Sequence, residues 1–171
     1  SIEIPAQTFS ARESSSRRSM FDIASNGRQI QRKTKALTLK VRPRPDSFPS
    51  ATWLPARNIE VEEHWSTPPE ELRVGESATR RITIKGEGLQ GAQLPPILFP
   101  TNPGLKYYPD QAVVSDGEVA SGLLGSRADS AALVPTKIGT WEVPEIRIPW
   151  WNTKTRKVQY ATVPSRQIVV A

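Results

Sequence analysis

Few residues in this chain have the type and spacing that chemistry demands. It holds one histidine, His64, in the run EEHW, and no cysteine. A catalytic or metal-bound imidazole needs partners at defined spacing, and none flanks His64, which reads as a surface or half-buried ring on a strand. Serines are plentiful, yet no G-x-S-x-G elbow is present to activate one. GEGLQG, residues 86–91, lacks the lysine and following helix of a phosphate loop and reads as a turn. Glu60, Glu62, Glu63, Glu70 and Glu71 form an acidic cluster. Calcium wants about six to eight converging oxygens, and carboxylates that alternate sides along a strand do not converge. The cluster reads as a solvated face, so the sequence predicts no catalytic residue, no metal site and no cofactor.

The aromatic pairs are the better candidates. Neighbours on an extended strand point to opposite faces, so at most one of Tyr107 and Tyr108, and one of Trp150 and Trp151, can enter a core. The other member of each pair needs a cover. Lys106, Arg147 and Lys154 are close by in sequence, and exposed Trp or Tyr beside Arg or Lys is the composition of a binding hot spot. The candidate interaction surface is therefore Trp151, Arg147, Lys106, Tyr107 and Tyr108. A linker or a neighbouring module is the rival cover for the same rings. The alternative function is a carbohydrate-binding sandwich whose Trp and Tyr stack on sugar rings.

The elements that must position these residues are short. The 171 residues suffice for one ordinary domain, or for a small domain with part of another. Sixteen prolines and ten glycines are spread along the chain, and the apolar runs between them are brief. No window approaches the ~18 apolar residues of a membrane helix. The opening SIEIPAQTF lacks the basic-then-apolar order of a signal peptide, so any signal or anchor is expected outside these residues. Without cysteine there are no disulfides, and the compartment stays open on that count. The net charge of +6 is concentrated in residues 11–36, where Arg12, Arg17, Arg18, Arg28, Arg32, Lys33 and Lys35 face only Glu13 and Asp22. Phosphate neutralisation is conceivable there. The segment is Ser-rich with a single aromatic, Phe21, and reads as a solvated, mobile loop with no nucleic-acid partner.

Comparing the chain with itself defines the units. SIEIPAQTF (1–9) matches TWEVPEIRI (140–148), with Glu3 on Glu142, Ile4 on Val143 and Pro5 on Pro144. Each copy leads to a basic polar stretch and then to a second strand-like run, residues 36–41 and 164–170. Residues 1–45 are thus expected to be the closing hairpin of a preceding immunoglobulin-like module, with a long basic loop. Residues 46–58 follow as a stiff proline-rich linker. Residues 59–171 read as a complete module.

Within that module NIEVEEHW alternates, Ile59, Val61 and Glu63 against Glu60, Glu62 and His64. Ile82 and Ile84 alternate with Arg81, Thr83 and Lys85. AQLPPILFP suits an edge strand, and Ser-Asp-Gly at 115–117 reads as a turn. Asp129, Ala131 and Leu133 oppose Ala128, Ser130, Ala132 and Val134. About seven strands at short spacing predict an all-β chain, an antiparallel β-sandwich of the immunoglobulin-like kind. The strand before Trp151 changes phase, since Trp141 and Val143 share one parity and Ile146, Ile148 and Trp150 the other. A bulge or bend at Pro144 would let both runs face the core. Trp150 then points inward and Trp151 outward, on the face of Arg147.

TWLPARNIEVEEHWS, ELRVGESATRRITIKGEGL, LPPILFPTNPGLKYYPDQ and GSRADSAALVPTKIGTWEVPEIRIPWWNT resemble successive segments of BatD, the bacterial oxygen-tolerance family. PGLKYYPDQ and PEIRIPWWN are the most distinctive. The resemblance covers most of the chain. It implies tandem immunoglobulin-like domains in the periplasm, anchored to the inner membrane by a segment outside this sequence. It also implies partners among membrane-associated proteins of the same system, von Willebrand factor A domain proteins and a MoxR-type ATPase, and a scaffolding role in stress tolerance. It brings no catalytic residues.

Overall fold

A computed structural model describes residues 1–13, 28–100 and 102–171. The chain is all-β and divides into two compact units, Ser1–Arg44 and Pro45–Ala171. The first unit is one interrupted hairpin. Strands β1 (Ile2–Ile4) and β4 (Leu37–Leu39) pair antiparallel, as do β2 (Thr8–Glu13) and β3 (Arg28–Lys33). Between the two ladders Thr34 donates its amide to the Gln7 carbonyl, and the Gln7 amide donates to the Thr34 hydroxyl. The centre of the basic stretch, expected to be a solvated mobile loop, lies outside the described residues.

The second unit holds β5 (Pro55–Ala56), β6 (Asn58–Trp65), β7 (Ala78–Glu87), β8 (Leu105–Pro109), β9 (Val113–Val119), β10 (Gly122–Pro135), β11 (Gly139–Val143), β12 (Ile146–Asn152), β13 (Lys157–Val163) and β14 (Arg166–Val170). One sheet runs β6-β7-β10-β8, with β9 also on β10. Opposite it lie β13-β12-β5 and β11-β14. The layers share two cores, as a sandwich requires. In the first, Ile59, Ile82 and Ile84 meet Ile148, Trp150, Ala161 and Val163, with Leu54, Ala56 and Leu94. In the second, Leu72, Ala78, Leu105 and Leu133 meet Val143, Ile168 and Val170.

The hairpin β11–β14 serves both cores because it is broken. Pro144 and Glu145 interrupt one strand and Pro164 and Ser165 the other, directly opposite. Proline cannot donate to a ladder, so both strands lose pairing at the same level. Register is unchanged across the gap, and both strands switch parity there: Val143 and Ile148 are buried on one, Val163 and Ile168 on the other. The device is therefore a matched break, not a bulge with one extra residue. Between the two cores, on β7, sits Arg80, buried with its Nε 2.8 Å from Glu63 of β6. Glu63 reaches on to Arg166 of β14 at 3.7 Å, and Arg166 to Glu70 at 2.6 Å. This chain of charges ties one sheet to the other beside the break.

Three local expectations are corrected. The proline-rich stretch read as a linker, residues 46–58, belongs to the body of the second unit. It buries Phe48, Leu54 and Ala56 and supplies β5, which pairs parallel with β12. Its apolar residues outweigh the stiffness of its prolines, which read as a spacer on composition alone. AQLPPILFP is not a strand: a 3-10 turn (Gly91–Gln93) leads into an irregular segment that buries Leu94 and Ile97. The Ile97 amide donates to Asp129 Oδ2, and Asp129 is held by Arg127. Ser-Asp-Gly lies within β9, because Asp116 accepts from the Gly91 amide at 2.6 Å instead of closing a turn on its own backbone. The chain reverses instead at Ala120 and Ser121, before Gly122 at φ 117°.

Candidate functional site

Strand β12 presents Ile148 and Trp150 to the core and Arg147, Pro149 and Trp151 to the other face. Across the ladder, Thr162, Tyr160 and Val158 of β13 stand opposite those three. The Arg147 guanidinium carbon lies 3.9 Å from the centre of the Tyr160 ring. Both side chains are exposed, and a cation over an exposed aromatic face is a ready-made polar-aromatic contact point. The turn after β12 is fixed by Asn152, whose Oδ1 accepts from the amides of Lys154 and Thr155, each at 2.9 Å. Arg156 closes it in the left-handed region at φ 57°.

Trp150 is buried, as the phase change requires. Trp151 is half-buried, and its cover is the chain's own upstream segment. Trp53 lies 6.0 Å away, ring centre to ring centre, tilted by 39°. Phe48 in turn meets Trp53 edge-on at 4.9 Å. Rings at that tilt do not form the coplanar platform on which a sugar would stack. Sequence reasoning passed over Trp53 and Tyr160. Period-two counting from Ala161 and Val163 would have placed Tyr160 on the open face.

The other sequence candidates sit on the opposite sheet. On β8, Lys106 and Tyr108 point outward, while Tyr107 turns in and stacks on Phe99 at 5.6 Å. Burial raises the pKa of the Tyr107 phenol, and the nearby Arg80 charge only partly offsets that. Structure thus splits the candidate residues: Arg147 and Trp151 share one face, Lys106 and Tyr108 another.

The acidic cluster does not converge. Glu62 binds Lys85 at 2.7 Å, Glu63 binds Arg80, and Glu70 binds Arg166. Among the described residues no group of three or more acidic or histidine side chains could hold a metal ion. His64 is exposed and lies opposite Arg81 in the ladder. Among the described residues no helix is long and apolar enough to cross a membrane.

One family model, described as the BatD DUF11-like domain, matches residues 65–170, more than half of the chain. No curated protein and no solved structure matches.

Proposed function

The chain belongs to the BatD family, and on that footing we propose that it is a protein-protein interaction module of an aerotolerance-related membrane protein. The family domain is a non-catalytic type. Its task in this reading is scaffolding. The protein is exported, anchored to the inner membrane by a helix elsewhere in its sequence, and holds von Willebrand factor A domain proteins of a MoxR-ATPase system.

The observation that supports this reading is the Arg147 guanidinium stacked 3.9 Å over Tyr160 on the open face of β12 and β13. Arg and Tyr dominate interface energetics where they are rigid and can be desolvated together. Here the stack is formed before any partner arrives, so little side-chain entropy is lost on binding. Trp151 and Trp53 extend the aromatic surface beside it.

The test is affinity recovery of the full-length protein with its membrane neighbours. Tyr160→Ala and Arg147→Ala alter exposed side chains outside the core. Each is expected to lower recovery of the von Willebrand factor A domain partner by about tenfold or more. Tyr108→Ala, on the opposite sheet, is expected to leave recovery unchanged. Unchanged recovery with both Tyr160→Ala and Arg147→Ala would overturn the assignment of this face.

A further inference from the structure

Strand β12 is paired with β13 along Ile146–Asn152, but with β5 only at Trp151 and Asn152. The β5-side edge from Ile146 to Pro149 has no strand partner among the described residues. Beside it lies a cleft of about 320 Å³, within the size range of ligand sites. Its floor is Ile146 to Pro149, and one wall is Ser50, Thr52 and Leu54. Pro95 to Leu98 and Pro100 line it as well. Leu94 and Ile97 are rooted in the core, and the Ile97 amide is fixed to Asp129. At the rim Leu98 is 82% exposed.

The backbone polarity of this edge follows from β5. The Trp151 amide donates to the Leu54 carbonyl at 2.8 Å, and the Thr153 amide to the Ala56 carbonyl at 2.9 Å. Alternate residues of a strand send their backbone groups to the same side. The Arg147 amide, the Arg147 carbonyl and the Pro149 carbonyl therefore point toward the cleft. Pro149 offers no donor there, and a proline is one way a protein discourages indiscriminate pairing at an open edge. What remains is a specific pattern, two acceptors and one donor. The open stretch is about 10 Å long at about 3.3 Å per residue.

We propose that this edge accepts a short extended segment of a partner polypeptide, which continues the β5 ladder along β12 by strand addition. The occupant is a peptide with free backbone amides and an apolar side chain directed against Leu98, Pro96 and Ile148. A polyproline segment lacks the two donors that the Arg147 and Pro149 carbonyls require. β5 supports this choice of occupant, because it already docks an extended segment on the same edge through the same kind of bond. The inference rests on the interaction-module reading and adds to it a second contact, distinct from the Arg147–Tyr160 face.

The probe is acetyl-VTVTV-amide, titrated to about 5 mM into the full 15N-labelled chain, which captures a millimolar Kd. Amide shifts are expected at Arg147, Ile148 and Leu98. The same peptide N-methylated at alternate residues keeps its side chains, loses its donors, and is expected to give no shifts. Leu98→Glu changes an exposed residue and is expected to weaken binding about tenfold or more. In the free chain the Arg147 amide is expected to exchange quickly with solvent and to become protected on binding. Equal binding of the N-methylated peptide overturns the inference, as does a slowly exchanging Arg147 amide or the absence of shifts along β12. None of these results bears on Tyr160→Ala recovery, so either proposal can fail alone.

Discussion

The two broken hairpins share a register, a break and a change of phase, but not a cover. Ile4, Phe9, Leu39 and Val41 of the first unit occupy the positions of Val143, Ile148, Ile168 and Val170 in the second. The latter four are buried, whereas the former are 44%, 67%, 43% and 62% exposed. In both hairpins the prolyl break falls opposite a break in the returning strand, and pairing resumes in step. The path of the hairpin is thus dictated locally, by prolines and cross-strand register. Its stability comes from the sheet laid over it, because a two-stranded hairpin alone is marginal in water.

Substitutions at matched positions can break this comparison. The largest effect is expected at Trp150, where the first copy has only Ala11. Trp150→Ala should cost the second unit about 3–5 kcal/mol, read as a shift in its denaturant midpoint. A loss below about 1 kcal/mol would mean that the ring does not hold the two sheets together. Next come Ile168→Ala and its counterpart Leu39→Ala. The first should cost about 2–5 kcal/mol, and the second should stay within about 0.5 kcal/mol. Every tryptophan lies in the second unit, so fluorescence reports that unit, and amide exchange in β1 and β4 must report the first. Equal costs at the two sites would show that the first hairpin is covered in solution.

The smallest effect concerns acid. Glu70 has its pKa held below the usual value of 4.5, first by a hydrogen bond from its own backbone amide and then by Arg166. A depressed carboxylate contributes stability above its unfolded pKa and loses that contribution as pH falls through the folded one. The second unit should therefore weaken as pH drops below about 4.5, and Glu70→Gln should flatten that decline. The position that matches Arg166 in the first hairpin is Leu37, so β4 has no such route to acid sensitivity. An unchanged pH profile for Glu70→Gln would remove the cross-sheet ion pair from the account.

Much of the design was legible in sequence. The repeated E-[IV]-P with its parity switch is enough to place Trp150 inside. Three features escaped for physical reasons. β5 is two residues long and begins with a proline, so no periodicity could announce it. Arg80 shares the parity of Ala78, Ile82 and Ile84, and period-two counting carried one step further would have sent it inward. A cation on a core face is credible only once Glu63 is seen within reach. The division of the candidate residues between two sheets depends on which strands pair, and a single sequence does not reveal pairing between strands as far apart in the chain as β7 and β10 or β5 and β12. Tyr107 and Trp151 are neighbours in type but not in place.

β5 gives the second unit a particular relation to tension. A pull on the chain ahead of Pro45 meets the body first at Phe48, Leu54 and Ala56, and at the backbone bonds that join this segment to β12 and the turn after it. That short strand is the fixing by which load would enter the sandwich, and it grips the strand that carries Arg147 and Trp151. Force on this segment would then act first on β12, the strand to which both proposed contacts belong, and on the core that Leu54 and Ala56 share with Ile148 and Trp150.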